Sequence, residues 1–445
     1  MQSKTSSADE ECGGFSTACL QLFRCGSILR VFREHGPAKR RPPKIKSWEF
    51  IMALVFHSLR GSGTLAENTR ILTGKRIAES SMSERRQRTP WSVFTAIMEF
   101  ALRPKAQEKK HPEAFYCGLR LVSMDGTEFS VTNTPQILGS LTKAASRRFK
   151  AAFAKVRMVM LVELGVHNPL AAAIGKDGES EMALAKTLIG SLPERCLLLG
   201  DRLYGVGAFV TLLAQEFKNK GGHYLVRVKK NLKAKVLEAH ADGSASVEVK
   251  LSSGGRLMLR EVRGKVRRAG GQWVEVRFWT SLLEAAKHPA KDLLELYARR
   301  WEQEMIYKEM KIDMRQSELV RSHTVETAAQ EIATLVLAHA ILAEQRMNIA
   351  AKRGCEVLRI SFQKTHDWLR SMWTVIALSE GVLSDPQINA IVRQVLDSIA
   401  QFALPKRRKR SCPRAVRQPV SSWPRLTKNS YSNGDTEYQL SPVSA

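Results

Sequence analysis

The 445-residue sequence lacks the short frames that announce most enzyme chemistries. It has no Cys-x-x-Cys pair, and its ten histidines form no His-Glu-x-x-His or Cys/His grouping, so zinc catalysis is not supported. No Walker A run appears, which argues against a nucleotide-triphosphate motor, and no Gly-x-Ser-x-Gly frame lifts a serine nucleophile above background. The seven cysteines are odd in number and scattered. Cys12, Cys19 and Cys25 cluster with only His35 nearby, at spacings no zinc site uses, and read as reduced thiols. Long apolar runs are missing too. The longest, "IATLVLAHAILA" at 332–343, is too short to span a bilayer and reads as a buried helix. With no secretory h-region before a cleavage site, a cytoplasmic protein is expected.

Acidic residues are also scarce. Against 70 Lys and Arg stand only 43 Asp and Glu, a formal charge of +27 and a pI near 10.0. Such an excess favours a polyanionic partner, because neutralised phosphates release counterions and steer association, and nucleic acid leads over a membrane surface. With 44% hydrophobic residues the chain buries a large core and divides into two or three domains.

Residues 1–46 are irregular in pattern, and the proline-rich basic "HGPAKRRPPKIK" at 35–46 reads as a linker or phosphate-contacting arm. A helical, DNA-contacting domain is predicted over 47–112. In it Ser47, Thr64 and Thr89 cap short amphipathic helices, with "SERRQR" between them. From 117 the texture becomes α/β with a mixed sheet. Strands are predicted at 119–124, 156–164, 168–175, 196–200 and 223–229, and helices at 179–190 and 206–219. An all-β insertion follows at about 231–285, its hairpins marked by Gly254-Gly255 and Gly270-Gly271. Helices at 326–347 and 361–380 come next, residues 351–404 forming a C-terminal helical part, and the basic Pro/Ser-rich tail from 405, with "KRRKR" at 406–410, is expected to be disordered when free.

The stretch with the most chemistry is "LELYARRWEQEMIYKEMK", 294–311. At about 100° per residue, Tyr297, Arg300, Glu304 and Lys311 fall within about 60° of one another, with Trp301 and Lys308 close to the same line. Ile306, Met310 and Met314 recur on the opposite side. Arg300 and Glu304 taken alone would be an ordinary surface ion pair. Two aspartates change the weight. Asp125 follows the predicted strand "LRLVSM" and Asp201 follows "CLLLG", so each acid stands at a strand's carboxyl end beside a turn. Hard divalent cations prefer carboxylate oxygens. Two such ions about 4 Å apart activate an attacking water or hydroxyl and stabilise the oxygen leaving phosphorus.

These residues carry a resemblance to a family. The sequence resembles DDE transposases of the bacterial insertion-sequence family IS-four, whose signature Tyr-x2-Arg-x3-Glu-x6-Lys is met by Tyr297, Arg300, Glu304 and Lys311. The first aspartate motif matches at "MDGTEFSV" and the second at "LLLGDRLYG", and the likeness covers about 48–350. It implies a ribonuclease H-like catalytic domain over 113–350, with Asp125, Asp201 and Glu304 as a catalytic triad holding two Mg²⁺ ions, for which Mn²⁺ can substitute. Tyr297, Arg300 and Lys311, with Lys308 beside them, would hold DNA phosphates. The implied reaction is hydrolysis at each 3′ end of an insertion sequence, then attack of the freed hydroxyl on target DNA, by a homodimer pairing the two terminal inverted repeats through its C-terminal helices. Trp301 or Trp279 would stack on an extruded base if a hairpin forms. Glu302, Glu309 and Asp313 share the helix with Glu304, so the third ligand rests partly on the family match. The alternatives are a DNA-binding relic that no longer cuts and a ribonuclease H-like nuclease or resolvase without strand transfer.

Overall fold

Runs of β-branched and large apolar residues make the middle of the chain a set of strands. They are β1 (Phe115–Tyr116), β2 (Leu119–Val131), β3 (Lys155–Glu163), β4 (Asn168–Gly175), β5 (Cys196–Gly200), β6 (His223–Arg227), β7 (Lys235–Ala239), β8 (Ala245–Lys250), β9 (Arg256–Arg267), β10 (Trp273–Thr280), β11 (Leu319–Val320) and β12 (Tyr438–Leu440). The structure, a computed structural model, describes residues 25–37, 42–144, 151–251, 255–267, 273–315, 317, 319–379, 382–405 and 438–440. The "KRRKR" run, Gly254 and the Gly270-Gly271 pair lie outside them. The class is mixed α/β, as expected, with a large mixed sheet and a helical N-terminal region. Two compact units share β2. One comprises Met1–Phe115, Asp125–Ser191 and Glu302–Leu404, the other Tyr116–Met124, Leu192–Trp301 and Pro405–Ala445.

In the first unit β3 lies between β4 and β2, and β11 runs parallel to the end of β2 through Leu319↔Ser130 and Val320↔Val131. Its core joins the helices Ser47–Arg60, Leu65–Thr73 and Trp91–Ala101 to the later helices Val325–Arg353 and Phe362–Leu378. The N-terminal helices therefore share one core with the C-terminal ones, where separate parts were expected. The helix Val325–Arg353 is longer than the predicted 326–347 and is apolar on most sides. Among the described residues it alone has the length and hydropathy to cross a bilayer, yet 89% of its apolar window is buried inside the protein. A helix at Asp385–Gln401 closes the unit.

Local chemistry corrects several expectations here. Cys25–His35 is a helix inside the arm read as irregular, because Ile28, Val31 and Phe32 form an apolar stripe that the core buries. Lys46, not Ser47, occupies the N-cap of the first long helix, with the Lys46 amide donating to Glu49 Oε2 at 2.6 Å. Thr64 caps as predicted, accepting from the Glu67 amide. Thr89 does not cap, and its hydroxyl donates back to the Arg85 carbonyl. "SERRQR" is part of a helix, Glu79–Arg88, with an acid in its first turn and arginines in its last, which suits the helix dipole.

In the second unit the first residues of β2 pair in parallel with β5, from Arg120↔Cys196 to Met124↔Gly200, and β5 pairs in parallel with β6. The β insertion extends this same sheet. β10 pairs antiparallel with β6 and β9, then β8 and β7 follow. Tyr438–Leu440 adds to β9, so this piece of the tail expected to be disordered is a strand. Neighbouring residues of β9 bury opposite charges on opposite faces. Arg260, with no exposed surface, binds Asp242, Ser244 Oγ at 2.8 Å and the His288 carbonyl at 2.6 Å. Glu261 on the other face accepts from Arg263 Nε at 2.7 Å, Arg277 Nη2 at 2.5 Å and Trp279 Nε1 at 2.9 Å.

The loop after β5 is shaped by Gly205, where a Cβ would lie 1.9 Å from the Arg227 carbonyl oxygen and 3.0 Å from Val228 Cα. Only a bare Cα lets "DRLYG" lie against the end of β6. Gly205→Ala is expected to destabilise the protein by about 1–3 kcal/mol through overpacking against backbone. Urea unfolding monitored by circular dichroism measures this, and an unchanged midpoint would show that the loop relaxes without cost.

Candidate active site

β2 does not end at Asp125, as the sequence suggested, but runs on to Val131. What ends there is its parallel partner, because Met124↔Gly200 is the last pair with β5. Asp125 and Asp201 are thus each the next residue along the chain after that pair. Asp125 belongs to the first unit, where its Oδ1 accepts from the Gly126 amide at 2.9 Å. Asp201, in the second, accepts the Leu203 amide at 2.6 Å, a turn that holds the carboxylate at the head of "DRLYG".

The helical stretch expected to be uniform changes pitch twice. Ala290–Tyr297 is α-helix, Ala298–Arg300 is 3₁₀, Trp301–Lys308 is α-helix again and Glu309–Asp313 is a π turn closed by the Met314 amide on the Glu309 carbonyl at 2.9 Å. A single wheel of about 100° per residue therefore does not describe it. A 3₁₀ segment has about three residues per turn, so Tyr297 and Arg300 eclipse. In the second unit the Arg300 guanidinium is indeed bonded to the Tyr297 hydroxyl. Burial pushes that phenol up to about 12, opposed by the cations Arg300 and Arg227 and reinforced by the nearby Asp201 carboxylate. Phe278 backs the ring at 4.4 Å between centroids. Asp201, Tyr297 and Arg300 are thereby brought into one electrostatic neighbourhood.

In the first unit two side chains with no place in the predicted site lock Glu304's helix to the sheet. Gln303, fully buried, donates to the Met160 carbonyl of β3 at 2.8 Å and to the Tyr307 hydroxyl at 2.9 Å. Tyr307 in turn donates to the Asp125 carbonyl at 2.5 Å. Glu304 follows Gln303 directly, so its backbone is fixed by bonds to the strand that carries Asp125. The i,i+4 spacing of Gln303 and Tyr307 on the helix's inner side was the available signal.

The other three acids of this helix are committed elsewhere. Glu302 accepts from the Gly165 amide at 2.6 Å, and Asp313 takes the Lys308 ammonium at 3.0 Å on both oxygens. Glu309 is buried, facing His339 Nε2 at 2.9 Å, His167 Nδ1 at 3.2 Å and Arg346 Nη1 at 3.4 Å. Burial would raise its pKa, but His167 and Arg346 outweigh this and hold the carboxyl well below the usual range, while burial lowers His339.

The expected DNA contacts divide. Lys311 Nζ donates to Thr127 Oγ1 at 2.5 Å and to the Glu128 carbonyl at 2.7 Å, and lies 5.0 Å from the Phe129 ring centroid. Burial, with Lys155 beside it, lowers its pKa to about 8. Lys308 is exposed and bound in its ion pair with Asp313, a contact worth little in water. Trp301 is 46% exposed. Trp279 is not available for stacking, because it is buried and donates to Glu261. Among the described residues no group of three or more His, Cys, Asp or Glu side chains is gathered to hold a metal ion. Asp125, Asp201 and Glu304 each offer carboxylate oxygens, the donor type that a hard divalent ion prefers.

A family model described as the transposase DDE domain matches residues 116–341. The chain is 26% identical over 419 residues to the transposase InsG of insertion sequence element IS4 from Escherichia coli K12, covering 91% of this chain and 92% of that protein. It is 27% identical over 168 residues to the putative transposase InsZ of the same strain, covering 36% of this chain and 54% of that one. Among solved structures, the piggyBac transposase synaptic complex with hairpin DNA is similar at a TM-score of 0.43 and 10% identity, covering 96% of this chain and 90% of that one.

The Glu309 cluster yields a stability prediction. Glu309→Ala would leave Arg346 buried without its carboxylate and is expected to cost about 3–5 kcal/mol. Because the folded pKa is depressed, Glu309 contributes stability above its unfolded pKa of about 4.3 and loses it as pH falls through the folded value. Denaturation midpoints of wild type and variant should therefore converge on acidification below about pH 4. A constant gap across that range would contradict the assignment.

Proposed function

The chain belongs to the transposase DDE domain family, and from that premise we propose how its residues divide the work of moving an insertion sequence. DDE transposases are enzymes that cleave DNA and transfer strands, and they use divalent metal ions. In our reading Asp125, Asp201 and Glu304 would hold two Mg²⁺ ions, or Mn²⁺ in their place. When bound, such ions activate the attacking oxygen and stabilise the leaving one.

The protein's own groups do the rest. Arg300 and Lys311 bind phosphates of the element's terminal inverted repeat, with Tyr297 holding Arg300 in place through its hydroxyl. The Gln303–Tyr307 bonds fix the helix, so that the backbone carrying Glu304 is held against the sheet. Hydrolysis at each 3′ end of the element followed by attack of the 3′-hydroxyl on target DNA is the reaction this set serves. Pairing of two ends by a homodimer, and action in the cytoplasm on the nucleoid, belong to the same proposal. The observation that carries it is the tie of Glu304's helix to the sheet, where Gln303, next to Glu304, bonds the Met160 carbonyl and the Tyr307 hydroxyl, and Tyr307 bonds the Asp125 carbonyl.

The direct test is to incubate the protein with a duplex bearing its element's terminal repeat and Mg²⁺. Nicking at the 3′ end is expected from wild type and is expected to fall by three or more orders of magnitude in Asp125→Ala, Asp201→Ala and Glu304→Ala, with binding retained. Binding without cleavage by wild type, in Mg²⁺ or Mn²⁺, would indicate a relic that no longer cuts. Cleavage without joining would indicate a nuclease.

Lys311 supplies a pH signature. With its pKa near 8 it loses its charge as pH rises from 7 to 9, so repeat binding should weaken over that interval. Lys311→Arg keeps the charge and should flatten the profile, as read by fluorescence anisotropy at constant salt. A profile of the same shape in both proteins would remove Lys311 from the phosphate contacts.

A further inference from the structure

Glycine at position 126 is required by space and not by backbone angle, since its φ lies outside the left-handed region. A Cβ built there would lie 2.3 Å from Glu181 Cδ and 2.6 Å from Glu181 Oε2, closer than real side chains come. The Glu181 carboxyl group therefore fills the place of a side chain at 126, one residue along β2 from Asp125. Asp125 turns its own carboxylate to the same residue, its Oδ1 accepting the Gly126 amide at 2.9 Å. Two acids far apart in sequence thus flank a single glycine, all within the first unit.

Rigid elements hold this arrangement. Glu181 opens the helix Glu181–Thr187, which Ser180 caps by accepting the Ala183 amide at 3.2 Å. Leu184 and Ala185 are buried and the helix packs on β3 and β4. An acid in a helix's first turn suits the dipole whichever way it points, so the dipole does not account for a carboxyl group lying over Gly126. Neighbouring acids have other tasks. Glu179 accepts the Asp177 amide at 2.8 Å, and Glu128 pairs with Lys155 and Arg157 at 2.8 Å each. The parallel pairing of β2 with β5 ends at Met124 and that with β11 begins at Ser130, so Gly126 belongs to neither. Carboxylates gathered at one place favour a hard cation, whose affinity rises with the number of charged ligands.

We propose that Glu181 is a further carboxylate of the catalytic site, binding with Asp125, across Gly126, the divalent ion that Asp125 would hold. This rests on the transposase reading, which assigns the ion to Asp125. Two side chains supply fewer oxygens than a hard ion takes, so phosphate oxygens and water complete its shell. Gly126 serves this pair by its lack of a side chain, because any Cβ there would push the Glu181 carboxyl group away from its place.

Mn²⁺ binding by the full-length protein is measured by electron paramagnetic resonance, alone and with a duplex bearing the terminal repeat, the uptake of the duplex itself being subtracted. Glu181→Gln removes the charge at nearly constant volume and is expected to weaken Mn²⁺ binding about 10–100-fold. Gly126→Ala keeps the carboxylate but fills its place, and is expected to weaken binding as well. Glu179→Gln is the charge control, Asp125→Asn tests the underlying reading, and circular dichroism shows that each variant folds. In nicking assays Glu181→Gln should need correspondingly more Mn²⁺ to reach half its maximal rate, a shift that a purely structural role would not produce. Weakened binding in Glu181→Gln and Asp125→Asn, with wild-type affinity in Glu179→Gln, supports the proposal. Equal weakening in Glu179→Gln overturns it, as an effect of net charge alone. Wild-type affinity in Glu181→Gln beside loss in Asp125→Asn also overturns it and leaves the transposase reading intact. Wild-type affinity in Asp125→Asn, or a wild-type protein that holds no Mn²⁺ with or without the duplex, overturns the proposal together with the assignment of the ion to Asp125.

Discussion

The first unit is organised around one desolvated carboxylate. Glu309 draws a histidine from the turn between β3 and β4 and a histidine and an arginine from the long helix Val325–Arg353 onto a single pair of oxygens. A buried acid with unsatisfied oxygens would cost several kcal/mol, so none of the three elements can move away without exposing the cost to all. The π turn that begins at Glu309 is the local consequence. A regular α-helix would close its last turn one residue earlier, whereas the wider turn accommodates the acid inside the core. Upstream of it, Tyr307 and Gln303 bond to the sheet, and Glu304 is positioned by what lies on either side of it in sequence.

Burial of charge recurs as a device in this chain, which matters because the protein is so strongly cationic. At +27 the surface repels itself and suits a polyanion, while a few acids, Glu163, Glu261 and Glu309 among them, are almost fully buried. Glu163 accepts from the Lys105 and Ala106 amides and from Asn168, the same pattern of a single carboxylate gathering loops.

Much of the architecture was legible in the sequence because it depends on local pattern. The strands at 168–175 and 196–200, the helix after Thr64 and the approximate bounds of the β insertion follow from periodicity and capping. So do the apolar back of the signature helix, with Ile306, Met310 and Met314 all buried. What periodicity could not show is what depends on partners distant in sequence. Asp125 reads as a strand end because Gly126-Thr127 resembles a turn, yet β2 continues, with β3 beside it and β11 pairing its last two residues. The pitch changes around Arg300 and Glu309 arise from tertiary bonds, and a uniform helical wheel misses them. Glu309 looked like one more candidate ligand, because a wheel cannot tell a solvated acid from one ringed by His167, His339 and Arg346.

The adjacent buried charges of β9 bear on how the insertion finds its alignment. Side chains of a strand alternate between faces, so sliding β9 by one residue along β8 and β10 would carry Glu261 to the side where Asp242 waits and Arg260 to the side of Arg277 on β10. Hydrophobic residues penalise such a slip only by exposure, and a sheet apolar on both faces penalises it hardly at all. Here the misaligned sheet would oppose acid to acid and base to base with water excluded. The ionic pair therefore acts as a key cut for one lock, rejecting near-miss pairings that backbone hydrogen bonding alone would accept.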